Sequence, residues 1–248
     1  MNFNEMIDKK KEALKEIKKI KCTRNKKFYK LKNFIIDRPF IAEIKKSSPT
    51  IGNINKEVDV IRQAIKYEEY GAGAISVLTE ELFFSGDFED LYEISRKVKL
   101  PVLCKDFIMD KMQILNAHIS GADIVLIMVY ILDDEKIKEL VDYAQSMDLE
   151  VLFEIVDLND YERIKNFNPE YILVNSRNFK TMEIEFERAK EVLKNLKGDF
   201  IKIAASGIKE DRDIAELKNA GADAFLIGTR LMQSKNLQDD FKEFYKCL

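Results

Sequence analysis

The stretch GADIVLIMVYILDDEKIKELVDYAQSMDLEVLFEIV, residues 121–156, contains one full repeat of the fold. Gly121-Ala122-Asp123 reads as a helix stop with a tight turn into the next strand. The apolar run 123–129 reads as that strand, buried. Residues 134–147 carry an amphipathic helical pattern, and EVLFEI (150–155) is a second strand. Strand, helix and strand in this spacing make a parallel unit.

The same unit recurs on both sides. Strand-like runs fall at FIAEI (40–44), GAISVL (73–78), PVLCK (101–105), YILVN (171–175), FIKIAAS (200–206) and DAFLIG (223–228). Helical patterns follow near 57–70, 88–97, 110–119, 157–166, 184–196, 210–219 and 230–246. Gly71–Gly73 and Gly221–Asp223 repeat the helix stop. Eight strands, each with a helix behind it, in 248 residues match an α/β fold of the (β/α)8 TIM-barrel type, about 250 residues long. A doubly wound sheet also alternates, but no G-x-G-x-x-G follows the first strand. No Pro- or Ser-rich linker interrupts the pattern. Residues 1–248 therefore read as a single TIM-barrel domain, with 1–33 as an N-terminal helical extension.

Composition narrows the function classes. The chain is 46% hydrophobic and 34% charged, with net charge −3, so nothing draws it to nucleic acid. No apolar run reaches bilayer length, and the first residues lack a signal peptide's apolar stretch. The expectation is a cytoplasmic protein with no membrane partner. Cys22, Cys104 and Cys247 form neither a disulfide framework nor a zinc pattern. His118 is the sole histidine and reads as structural. The Lys-rich segment 9–32 reads as a solvated helix face, with Glu12–Lys15 and Glu16–Lys19 as neighbouring pairs. Met6, Ala13, Ile17 and Ile20 would form its apolar stripe.

Polar residues gather where the strands end. In FIAEIKK, side chains alternate, so Ile41, Glu43 and Lys45 share one face. The strand starts as core and ends in charge. Lys105 closes the third run, Glu154 lies inside the fifth, and Asn175 with Arg177 ends the sixth. Each alone is weak, since a strand-end lysine is more often an ion-pair partner. Together they fall on the C-terminal rim, where barrels place their chemistry. Ser206-Gly207-Ile208 and Gly228-Thr229-Arg230 follow the last two strands. Glycines there let backbone N–H groups approach an anion, and these loops are a common phosphate site.

These segments resemble the indole-3-glycerol phosphate synthase family from about residue 34 to 234. The resemblance rests on IAEIKKSSPTIGNI (41–54), GAGAISVLTEELFFSGDFEDL (71–91), PVLCKDFIMDKMQI (101–114), GADIVLIM (121–128), LFEIV (152–156), VNSRNFKTMEI (174–184), ASGI (205–208) and LIGTRLM (226–232). It implies closure of an indole ring in tryptophan biosynthesis, on a phosphorylated small-molecule substrate, with no metal or cofactor. By this resemblance Lys105 is the general acid and Lys45 assists dehydration. Glu154 is a base or electrostatic partner, Glu43 and Asn175 orient the lysines and substrate, and Arg177 helps fix the site. Ser206, Gly207, Gly228 and Thr229 would hold phosphate, and Ser48 would lie near the aryl carboxylate. Phe84, Phe107, Leu126, Met182 and Ile208 would wall the aryl ring.

Two positions depart from the family pattern. The family's ESG after the seventh strand is Ala205-Ser206-Gly207 here, so a carboxylate is missing from the rim. Without it, a rim lysine is expected to hold its proton less tightly. The chain also has no tryptophan. The aromatic contact from the leading helix to the site is then absent or falls to Phe28 or Tyr29. Neither the sequence nor the resemblance indicates an oligomeric state.

Overall fold

The computed structural model describes residues 2–179 and 181–248. Eight strands close a barrel: β1 Phe40–Ile44, β2 Ala74–Leu78, β3 Val102–Lys105, β4 Ile124–Met128, β5 Glu150–Ile155, β6 Tyr171–Asn175, β7 Ile201–Ala205 and β8 Ala224–Ile227. Each pairs in parallel with its sequence neighbours, and β1 pairs with β8 to shut the ring. The outer helices are Val60–Glu69, Phe88–Ser95, Lys111–Ile119, Asp134–Ser146, Leu158–Ile164, Phe186–Asn195, Asp211–Asn219 and Leu237–Lys246. Among the described residues, no helix is long and apolar enough to cross a membrane.

Alternation along the strands builds two apolar layers. On β1, Phe40, Ala42 and Ile44 face the helices, while Ile41 joins Leu103, Ile124, Leu126, Leu152, Leu173, Ile203 and Leu226 inside the barrel. The interior faces end in Glu43 on β1, Lys105 on β3, Glu154 on β5 and Asn175 on β6. The apolar floor and the polar rim are thus the two ends of one side-chain period. The GAD aspartates add a tie between strands. Asp123 Oδ2 accepts from Val102 N at 2.9 Å, and Asp223 Oδ2 from Lys202 N at 2.8 Å.

The N-terminal extension differs from a single solvated helix. Helix α1 spans Phe3–Leu14 and starts from a capping box between Asn2 and Glu5. Its buried stripe is Phe3, Met6, Ile7 and Lys10, one helical face at i, i+3, i+4, i+7. Ile17 and Ile20 lie beyond its end. The helix tightens into three-residue turns at Lys15, Glu16 and Ile17, and Asn116, 1% exposed, then holds the extended backbone. Its Nδ2 donates to Lys18 O at 3.0 Å, and its Oδ1 accepts from Ile20 N at 3.1 Å. The chain then runs down the barrel wall. Arg24 meets Asp123 at 2.9 Å, and Lys26 pairs with the same carboxylate. The short helix α2, Lys32–Ile35, seats Leu31 and Ile35 under the barrel. Leu31 N donates to Glu150 and Lys32 N to Tyr171 there. Several cations of this segment are therefore anchors. The Glu12–Lys15 pair is on the surface, as expected, at 2.5 Å.

Candidate active site

β1 delivers Glu43 and, one period further, Lys45. β3 ends at Lys105, two strands away. Glu43 lies between the two amines, with Oε1 2.7 Å from Lys45 Nζ and Oε2 3.4 Å from Lys105 Nζ. Burial pushes the Glu43 carboxyl up, but Lys45 and Lys105 outweigh it and hold the group at about 2. Burial works against the charge of Lys105, yet Glu43 and Glu154 raise its pKa above the ordinary lysine value. At neutral pH the trio is one carboxylate shared by two ammonium groups.

A folded-state pKa below the ordinary value contributes stability that is complete above the unfolded pKa and is lost as pH falls. Here that window runs from near 4.5 down to about 2. The melting temperature of the wild type relative to Glu43→Gln should be constant from this window to neutral pH and shrink as pH falls through it. A difference that persists unchanged through the acid range would rule out the ion-pair account.

The trio borders a cavity of about 890 Å³, counting its open mouth. Its wall comes from most of the eight strand ends and from α1. β6 supplies Asn175, whose Oδ1 accepts from Arg177 N at 2.9 Å. Arg177 Nη1 donates to Met182 O at 2.6 Å, which folds the loop after β6 inward. Burial lowers the pKa of the Arg177 guanidinium. After β7, Ser206 and Gly207 both take positive φ, 69° and 80°. A side chain at Gly207 would also strike Ile184 at 2.5 Å. Gly228, after β8, has an ordinary φ and a different reason to be glycine. A Cβ there would lie 2.2 Å from Glu43 Oε1, so the position leaves room for the carboxylate that joins the lysines.

The family model for indole-3-glycerol phosphate synthase matches residues 3–244. The chain belongs to the indole-3-glycerol phosphate synthase family. A relative of that name from Bacillus cereus is 42% identical over 204 residues, covering 82% of this chain and 81% of the relative. One from Staphylococcus haemolyticus is 38% identical over 245 residues, covering 95% and 94%. Among solved structures, a 3-hexulose-6-phosphate synthase superimposes with TM-score 0.69 at 16% identity, covering 85% of this chain and 99% of that one. A thiamine phosphate pyrophosphorylase from Pyrococcus furiosus gives 0.59 at 16%, covering 86% and 96%. These two likenesses concern the barrel.

In this member of the family, the candidate residues Glu43, Lys45, Ser48, Phe84, Lys105, Phe107, Asn175, Arg177, Met182, Ser206, Gly207, Ile208, Gly228 and Thr229 all line the cavity. Leu126 and Glu154 do not. Leu126 packs lower in the barrel interior. Glu154, 1% exposed, lies behind Asn175, whose Nδ2 donates to Glu154 Oε1 at 2.8 Å. Ala205 ends β7 beside Asn175 and also lines the cavity. The charge environment of the nearby lysine is set by other groups. Burial works against the charge of Lys105, and Glu43 and Glu154 outweigh it, so its pKa lies above the ordinary lysine value with alanine at 205.

The aromatic contact from the leading helix comes from a residue the sequence did not single out. Phe3 of α1 lines the cavity and meets Phe107 edge-on at 5.9 Å and Phe179 at 4.6 Å. Phe28 instead packs on His118 at 5.8 Å, and Tyr29 N donates to Asp123, near the start of β4. Phe3 opens the chain's first amphipathic helix, so the stripe through Met6, Ile7 and Lys10 was its only signal. Among the described residues, no cluster of His, Cys, Asp and Glu could hold a metal ion.

Proposed function

We propose that this cavity carries out the family's reaction with Lys105 as general acid, and with Lys45, Glu43, Glu154, Asn175 and Arg177 arranged around it. The chain is a carboxy-lyase of tryptophan biosynthesis. It converts 1-(2-carboxyphenylamino)-1-deoxyribulose 5-phosphate to indole-3-glycerol phosphate. The aryl carbon bearing the carboxylate attacks the ribulose carbonyl, carbon dioxide leaves, and then water leaves. The observation that carries the assignment is Glu43 held between Lys45 and Lys105 at the cavity floor.

The first step needs a proton donor for the carbonyl oxygen as negative charge develops there. Lys105 is protonated, lines the cavity and is kept charged by Glu43 and Glu154. Dehydration needs a second acid at the departing hydroxyl, and Lys45, on the far side of Glu43, is the group for it. A base must take the proton lost with the water. Glu154, through Asn175 and Lys105, is the carboxylate not already committed to an ion pair with both lysines. Phe3, Phe84, Phe107, Met182 and Ile208 offer the aryl ring an apolar wall, with Ser48 beside it for the carboxylate. Residues 1–33 form the N-terminal extension of a single barrel domain, and its helix α1 brings Phe3 and Met6 to the cavity. The setting is the cytoplasm, and no cofactor is called for by the chemistry.

Formation of indole-3-glycerol phosphate, followed by its fluorescence, tests the reading directly. A folded protein that makes no product from this substrate would overturn it. The phosphate subsite has its own test. Inorganic phosphate should inhibit competitively and raise the melting temperature by linkage. Gly207→Val and Gly228→Val should each abolish both effects, the first by disturbing the loop and the second by displacing Glu43. Inhibition that survives in both variants places the phosphate elsewhere.

A further inference from the structure

Tyr130 lies just past β4, in the single turn Val129–Ile131. Its Oη donates to Glu154 Oε1, the oxygen that also accepts from Asn175 Nδ2 at 2.8 Å. Glu154 Oε2 is buried and meets no hydrogen-bond partner among the described residues. Two donors on one oxygen fix the plane of the carboxylate. They leave Oε2 as the oxygen with lone pairs uncommitted. The Tyr130 ring does a second job. It stacks on Phe179 with centroids 5.0 Å apart and planes 24° apart, and Phe179 packs on Phe3 of α1. Phe3 and Phe179 both line the cavity.

We propose that Tyr130 is a positioning residue for the ring-closing reaction, holding the Glu154 carboxylate in one orientation and tying it through Phe179 and Phe3 to the helix that roofs the site. The proposal rests on the role of Glu154 given above. A phenol suits both tasks. Burial, with the Glu154 charge added to it, raises the Tyr130 pKa well above its usual value, so the group remains a donor. Phenylalanine would keep the stack and lose the carboxylate. Serine or threonine would keep a hydroxyl and lose the stack.

These substitutions separate the two tasks. Tyr130→Phe should lower kcat by roughly 10- to 100-fold, the worth of a hydrogen bond to a charged group, with KM nearly unchanged. Tyr130→Leu should raise KM as well, because Phe179 and Phe3 lose their support. The deciding measurement is Tyr130→Phe in a Glu154→Gln background, with melting curves to establish folding. Groups that act as a unit are non-additive, so the second substitution should cost little further kcat. A full additional loss there would show that Tyr130 acts independently of Glu154 and would overturn the proposal. Unchanged kcat in Tyr130→Phe, beside an impaired Glu154→Gln, would also overturn it and leave the reading of Glu154 standing. An unimpaired Glu154→Gln would overturn both.

Discussion

Lys105→Ala is expected to lower kcat by about 10²–10⁴-fold, the usual cost of a lost general acid, while the barrel stays folded. The fold should survive because of how Glu43 is shared. With Lys105 gone, Glu43 keeps Lys45 at 2.7 Å, and Glu154 keeps its hydrogen bonds from Tyr130 and Asn175. Lys105 is also the last residue of β3, and its side chain is 20% exposed. Truncating it opens the cavity and leaves the interior layers intact. Lys105→Arg sharpens the test. It restores a positive charge opposite Glu43, but a guanidinium gives up a proton far less readily than an ammonium. The arginine variant should therefore recover KM towards the wild-type value and leave kcat low. Far-ultraviolet dichroism and melting curves establish that both variants are folded. Near-normal turnover in folded Lys105→Ala would remove Lys105 from the mechanism.

How far the sequence could be read depended on the range of the interactions involved. β1, β5 and β6 could be read residue for residue, since apolar runs such as FIAEI and YILVN are local signals bounded by turns. The rim was legible for the same reason: alternation puts Glu43 and Lys45 on the face of Ile41 whatever the rest of the chain does. The end of α1 was not. Its helical pattern continues through Ile17 and Ile20, whereas the chain there is held in another conformation by Asn116, almost a hundred residues away. The Lys-rich strap misled in the same way. Arg24 and Lys26 look solvated until Asp123 is seen beneath them. At position 205 the sequence showed a missing carboxylate but not the geometry by which Glu43 serves both lysines. Tyr130 and Phe179 are ordinary aromatic residues in their local context, and only the closed barrel brings the one to Glu154 and the other to Phe3.

Lys10 makes the strongest tie between the strap and the rim, and Lys10→Met should cost about 3–5 kcal/mol of stability, the usual result of removing one partner of a buried ion pair. Its Nζ lies 2.7 Å from Asp106 Oδ1 and 3.4 Å from Glu80 Oε1, and all three side chains are nearly buried. Both carboxylates belong to the site's frame. Asp106 follows Lys105 directly. Glu80 caps the short helix Glu81–Phe84 by accepting from Leu82 N and Phe83 N, and that helix carries Phe84 to the cavity. Methionine keeps the apolar stem, so the charge is what is lost. Burial already raises the Glu80 pKa, with Lys10 pulling it back. Without Lys10 the folded variant binds protons more tightly than the unfolded chain, so its stability falls as pH rises. The gap to wild type should be small where Glu80 is protonated and widen as pH rises above the ordinary carboxylate value of 4.5. Lys10 itself has a raised pKa, because Asp106 and Glu80 outweigh the burial that works against its charge. Once the carboxylates are ionised its contribution holds up to 10.5, and the gap should close again only as pH rises through its higher folded value. Since Phe3 and Met6 of α1 line the cavity, a loosened strap should raise KM more than it lowers kcat. Chemical denaturation across pH, with kinetics on the same protein, measures both. A stability gap that does not change with pH would mean that Lys10 acts by packing alone.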